Sequence, residues 1–136
     1  MMEANFLLDT DICIYVRQKK SEKLLQRFRE LQPNEAAVSV ITFGELLYGA
    51  VKRGRMAAER EKWAELVHLL PVLPLPEGAS EKYGVIRADL ETKGRIIGNN
   101  DLWIAAHALA AGLILVTNNE REFRRVRGLR IQNWVA

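Results

Sequence analysis

Four acidic residues carry the first chemical signal in the chain. Asp9 ends the apolar run Phe6-Leu7-Leu8, and Glu45 follows the run Val38-Ser39-Val40-Ile41. Asp101 opens the helix-like stretch Leu102 to Ala111, and Glu122 follows the run Leu113-Ile114-Leu115-Val116. Each lies at or just past the end of an expected strand, or at the start of an expected helix. In an open parallel sheet those ends share one edge, where ligands bind. Carboxylates gathered there repel one another: two unit charges about 4 Å apart cost roughly 4 kcal/mol at an effective dielectric near 20. A divalent cation removes that cost and opens hydrolytic chemistry. Carboxylate oxygens suit hard cations, so magnesium is expected, with manganese as a substitute.

Each residue also has a structural alternative. Asp9 cannot lie unpaired behind a buried strand, and its alternative is to cap the next helix, a role for which Asp11 is better placed. Glu45 stands three residues after Thr42, so Thr42-Phe43-Gly44-Glu45 also matches a capping box. Asp101 lies in a first helical turn, where the dipole favours a carboxylate. The fourth corner is open among Glu122, which lies amid arginines, Asn119, whose amide can hold a water, and Thr117 at the strand end. His68 and His107 fall inside helices and read as packed or surface residues rather than bases. Trp63, Trp103 and Trp134 read as core or interface. The glycines form no phosphate-binding loop and the serines no nucleophile elbow.

The elements that must position these residues alternate. Strands are expected at 5–9, 37–40, 113–117 and 129–134, with Pro71-Val72-Leu73-Pro74 a short edge strand at best. Helices are expected at 12–16, at 22–31 capped by Ser21, from Thr42 to about Arg53, at 56–70, from Pro76 or Glu77 to Gly94, from a cap at Asn99 or Asn100 to Gly112, and at 120–125. Alternation of this kind means an α/β fold with a mostly parallel central sheet of about five strands. The continuous apolar strands fit a sheet covered on both faces.

With 136 residues, residues 1–136 read as a single domain. Hydrophobic residues make up 49%, which excludes a disordered chain, and the single cysteine, Cys13, excludes a disulfide framework. The N-terminus does not read as a signal peptide, and no apolar run reaches the roughly 18 residues of a membrane helix. The expected compartment is therefore cytoplasmic. The net charge of +3 is unevenly spread. Arg121, Arg124, Arg125, Arg127 and Arg130 cluster near the C-terminus, and Lys52, Arg53, Arg55 and Arg60 form a second group. Basic groups flanking an acidic edge suit an anionic polymer, because lysine and arginine displace counterions from nucleic-acid phosphates.

Three segments then resemble a known family. LLDTDICIY, SVITFGELLYGA and the long block GRIIGNNDLWIAAHALAAGLILVTNNEREFRRVRGLRIQNW are similar, in order and spacing, to the acidic motifs of PIN-domain ribonucleases, in particular the VapC toxins of toxin–antitoxin pairs. The resemblance covers nearly the whole chain and is weakest at residues 55–85. It implies a three-layer α/β/α fold and metal-dependent endonucleolytic cleavage of RNA. Asp9 and Asp101 would be the principal magnesium ligands, and Glu45 would complete the acidic site directly or through water. The family's fourth position often holds an aspartate after a Thr-Asn pair. Here Asn119 stands there, and Glu122 resembles the substitute found in a subgroup with a TNN-x-REF segment. The resemblance further implies a structured, tRNA-like RNA substrate, with Arg121, Arg124 and Arg125 on its phosphates. It implies a VapB-type antitoxin, a homodimer, a toxin–antitoxin hetero-oligomer, and operator DNA reached only through the antitoxin. Two competing readings are a catalytically inactive RNA- or antitoxin-binding module and a phosphatase of the haloacid-dehalogenase type, which Asp9-Thr10-Asp11 superficially fits.

Overall fold

A computed structural model describes residues 4–66 and 69–136. Five short strands, β1 (Phe6–Leu8), β2 (Ala36–Ser39), β3 (Val72–Leu73), β4 (Ile114–Val116) and β5 (Ile131–Gln132), form one sheet in the order β3-β2-β1-β4-β5, and every pairing is parallel. The helices are α1 (Thr10–Gln18), α2 (Glu22–Arg29), α3 (Val40–Lys52), α4 (Met56–Leu66), α5 (Ala79–Thr92), α6 (Asn99–Ala111) and α7 (Glu120–Phe123).

The period-two geometry of a strand sorts β1 between two cores. Leu7 joins Ala37 and Leu115 in one core, which α5 and α6 close with Ile86, Leu90, Leu102 and Ile104. Phe6 and Leu8 join Val38 and Val116 in the other, closed by Ile12 of α1, Leu24 of α2, Leu46 of α3 and Trp63 of α4. Both faces of the sheet are covered, as its uninterrupted apolar strands require. The chain leaves β1 toward β2 and β3, then returns to place β4 and β5 on the opposite side. The strand order therefore reverses beside β1, and the carboxyl ends of β1 and β4 border the crevice where such sheets bind ligands.

Three helix starts differ from expectation. Asp9, not Asp11, caps α1: its backbone is extended and its side chain accepts from the Ile12 amide. Ser39, not Thr42, caps α3 by accepting from the Ile41 amide at 3.1 Å. The sheet needs its last apolar residue at Val38, so the helix begins immediately afterwards, and Thr42 lies buried inside it. Gly98, not Asn99 or Asn100, precedes α6. Ser21 caps α2 as expected, accepting from Leu24 N at 3.2 Å. Gly112 ends α6 at φ 69°, a left-handed conformation that a Cβ would strain. Val72–Leu73 does pair, on the sheet edge, with β2. Strand β5 is shorter than its apolar pattern promised. His68 and Val67 lie outside the described residues.

Candidate active site

The end of β1 delivers Asp9 into the crevice. Its carboxylate is 3% exposed, and Oδ1 accepts from Ile12 N at 2.9 Å. Burial pushes its pKa up to about 7, and the charges of Asp11 and Asp101 push the same way. The Thr117 hydroxyl and the Ile12 amide, both beside it, oppose that shift. Thr117 is fully buried at the end of β4, and its Oγ1 also accepts from Asn119 N at 2.9 Å, which shapes the turn into α7.

Helix α6 contributes Asp101 in its first turn, half-buried, with Oδ2 folded back toward Gly98. Its pKa is raised to about 6 by burial first, then by repulsion from Glu122, Glu45 and Asp11, with a carboxyl–carboxyl hydrogen bond to Glu122. Glu45 comes from the second turn of α3. Instead of closing a capping box, its Oε1 accepts from Thr10 Oγ1 at 2.5 Å, and Thr42 Oγ1 lies 3.2 Å from the same hydroxyl. The one sequence signal for Thr10 is its position between the two aspartates of the Asp-Thr-Asp segment.

Asp9, Thr10, Asp11, Glu45, Asp101, Asn119 and Phe123 enclose a cavity of about 180 Å³. Among the described residues no lysine or arginine lines it. Asp9, Glu45 and Asp101, dispersed along the chain, thus share one cavity with Asn119. Glu122 lies against Asp101 and, among the described residues, forms no ion pair, while Arg124 pairs with Glu120 at 2.8 Å. No three His, Cys, Asp or Glu side chains among the described residues converge as a ready metal cage. The donor set is instead a few carboxylates, hydroxyls and an amide, all offering oxygen, of which the carboxylates repel one another when charged.

The remaining candidates fall elsewhere. Arg121 and Arg124 are exposed at α7, whereas Arg125 donates to the carbonyls of Arg95 and Ile96 at 3.3 and 3.2 Å, bracing the segment that leads into α6. His107 is buried, and its Nδ1 lies 2.9 Å from Ser39 Oγ; burial lowers its pKa to about 4, so it is neutral and structural. Trp63 and Trp134 are buried, and Trp103 stacks on Tyr83 at 3.9 Å between centroids.

Residues 6–129 match the PIN domain family. The chain belongs to that family. Within it the chain is 41% identical to ribonuclease VapC2 of Haemophilus influenzae over 130 residues, covering 96% of this chain and 98% of that one. It is likewise 41% identical to the tRNA(fMet)-specific endonuclease VapC of Salmonella typhimurium, over 95% and 97% of the two chains. Its fold superposes with a TM-score of 0.85 on a chain of DNA-bound VapBC from Salmonella typhimurium, at 38% identity over 98% and 99% of the two chains. These matches place the chain with the VapC ribonucleases of the PIN family and exclude the haloacid-dehalogenase reading. Asp9 here is a buried helix cap, and Asp11 is exposed.

Proposed function

We propose that this chain is a metal-dependent endoribonuclease, the toxin of a toxin–antitoxin pair, cleaving structured RNA and thereby inhibiting translation in the cytoplasm. The observation that carries the reading is the cavity at the strand switch point. There a buried and a half-buried aspartate, both with raised pKa values, meet Glu45 with no lysine or arginine among the described residues lining the cavity. The all-oxygen donor set fits magnesium, which is commonly held by one or two carboxylates with waters completing its shell, so no three-residue cage is needed. Asp9 and Asp101 are the proposed ligands. When bound, magnesium would supply the positive charge that acidifies a water and stabilises a leaving oxygen.

The chain's own groups do the rest. Glu45, oriented by the Thr10 hydroxyl, is placed to accept a proton from an attacking water. The Asn119 amide, held by Thr117 at its backbone, is placed to fix that water or a phosphate oxygen. Burial, reinforced by the neighbouring Glu122, keeps the proton affinity of Asp101 high until a cation arrives. Exposed Arg121 and Arg124 are proposed to touch substrate phosphates, while Arg125 acts by positioning the entry to α6. Similarity to a tRNA(fMet)-specific endonuclease supports a tRNA as the substrate. Similarity to a DNA-bound VapBC supports a VapB-type antitoxin, with operator DNA reached through it. Exposed Val40, Tyr48 and Val51 on α3 support association of two copies.

Sequencing of RNA ends after induced expression, beside Asp9→Asn, tests the whole reading. New ends at one tRNA site that disappear in the variant are expected. Identical end profiles for the two proteins would leave a non-catalytic binding module as the better account.

A further inference from the structure

A second, larger groove adjoins the acidic cavity and shares Glu45 with it. It has a volume of about 490 Å³ and runs between α1, α3 and α4. Its walls carry Arg17, Arg53, Arg55 and Lys62. Arg17 is already engaged by Glu59, a buried carboxylate that also accepts from Trp63 Nε1 at 2.9 Å. Arg53, Arg55 and Lys62 are exposed and form no ion pair among the described residues.

Their placement follows from the helix repeat. Glu45, Gly49 and Arg53 are spaced four apart, so they lie along one face of α3 and its cap. The Arg53 guanidinium lies back along that face, with Nη1 at contact distance, 3.4 Å, from where a Cβ of Gly49 would be. Arg53 therefore lies on the Gly49 side of the groove that Glu45 also lines. Lys62 on α4 and Arg55 in the α3–α4 turn line the same channel.

We infer that this groove carries the phosphate backbone of the RNA strand as it leaves the acidic cavity, with Arg53, Arg55 and Lys62 as its phosphate contacts. The inference rests on the nuclease reading above and names where its substrate runs. An anionic strand entering a cavity of carboxylates needs nearby positive charge. These three cations supply it beside Glu45, in addition to Arg121 and Arg124 at α7, while Arg125 is held by backbone carbonyls. A protein segment is a poorer match for this groove. The neighbouring cleft, which shares Arg17 and Lys62 with the groove but is otherwise lined by apolar residues such as Leu8, Cys13, Phe28 and Trp63, offers the apolar surface a protein would use, whereas Arg53 and Arg55 line the groove and not that cleft.

The test uses the Asp9→Asn protein, a tRNA(fMet) transcript as probe, and a salt titration of binding. Replacing Arg53, Arg55 and Lys62 together by Gln is expected to lower the log–log salt slope by about 2, since each phosphate contact contributes roughly 0.7–0.9. Lys62→Glu alone, an exposed change that spares the fold, is expected to weaken binding at least fivefold at low salt. Unchanged slope and affinity in both variants would overturn the inference. So would an unchanged slope accompanied by loss of antitoxin binding, which would assign the groove to the protein partner. Cleavage by the unmodified chain is scored separately: its absence counts against the nuclease reading, while salt-dependent binding still decides the groove.

Discussion

Asp9 does two jobs with one carboxylate, because it caps α1 through Ile12 and lines the cavity. Asparagine caps a helix as well as aspartate does, so Asp9→Asn should keep the fold while removing the charge. The pKa of about 7 sets the sign of the pH effect. The folded protein holds this proton more tightly than the unfolded chain. Its stabilising effect is therefore complete below the ordinary value of 3.8 and is lost as pH rises through about 7. Without divalent cations, the melting temperature of the parent should fall relative to Asp9→Asn between pH 4 and pH 7, by up to about 10 °C, and the gap should stay constant above that. Comparing the two proteins matters because His107 acts in the opposite direction. Its lowered pKa adds stability above 6.5 that is lost as pH falls through about 4. Thermal melts across pH check this, and a gap that does not change with pH would contradict the buried charge. Asp101→Asn should abolish cleavage, by at least 100-fold, while raising stability by about 1 kcal/mol, since it removes one charge from a self-repelling group. Gel-based cleavage and a thermal melt of the same sample read both effects.

At the scale of elements, one buried hydrogen bond links the helices that carry the acids. Ser39 caps α3, the helix of Glu45, and meets Nδ1 of His107 on α6, the helix of Asp101. Ser39→Ala removes the cap, worth about 1 kcal/mol, and leaves a buried imidazole nitrogen unpaired, for a further 1–2 kcal/mol. A loss of about 2–3 kcal/mol in urea unfolding is expected. A reduced turnover rate should accompany it, because the two acids lose a shared reference; a purely local cap would leave turnover alone. The same bond explains what could be read from sequence. Alternating apolar runs located every element, and strand-end acids pointed to the residues that line the candidate cavity, because both depend on local patterns. Cap identities depended on where the sheet stops, which no local pattern states. Thr42 and Glu45 fit a capping box in spacing, yet pairing of β2 with β1 through Val38 brings Ser39 to the helix start and releases Glu45 to Thr10. His107 had no visible partner because Ser39 lies 68 residues away. Arg125 looked like its basic neighbours until the fold brought the carbonyls of residues 95 and 96 beneath it.

Over the whole molecule, folding concentrates repulsion at one edge of the sheet, in a cavity that no lysine or arginine among the described residues lines. A domain of this size has only about 5–15 kcal/mol of net stability, so a clustered set of carboxylates takes an appreciable share. Whatever relieves that repulsion in the folded state alone must raise stability by mass action, by about 2.7 kcal/mol at a ligand concentration 100 times its dissociation constant. Magnesium at pH 8 should therefore raise the melting temperature of the parent by several degrees, whereas at pH 5 the effect should shrink as Asp9 and Asp101 hold their protons. Asp9→Asn and Asp101→Asn should each lose most of the magnesium response while starting from a higher melting temperature in its absence. Sodium at matched ionic strength controls for screening, which acts on exposed charges and much less on a buried carboxylate. An equal response in the parent and both variants would place the cation elsewhere on the molecule. A response confined to the parent and abolished by acid ties the stability of the fold to the same carboxylates proposed to cut RNA.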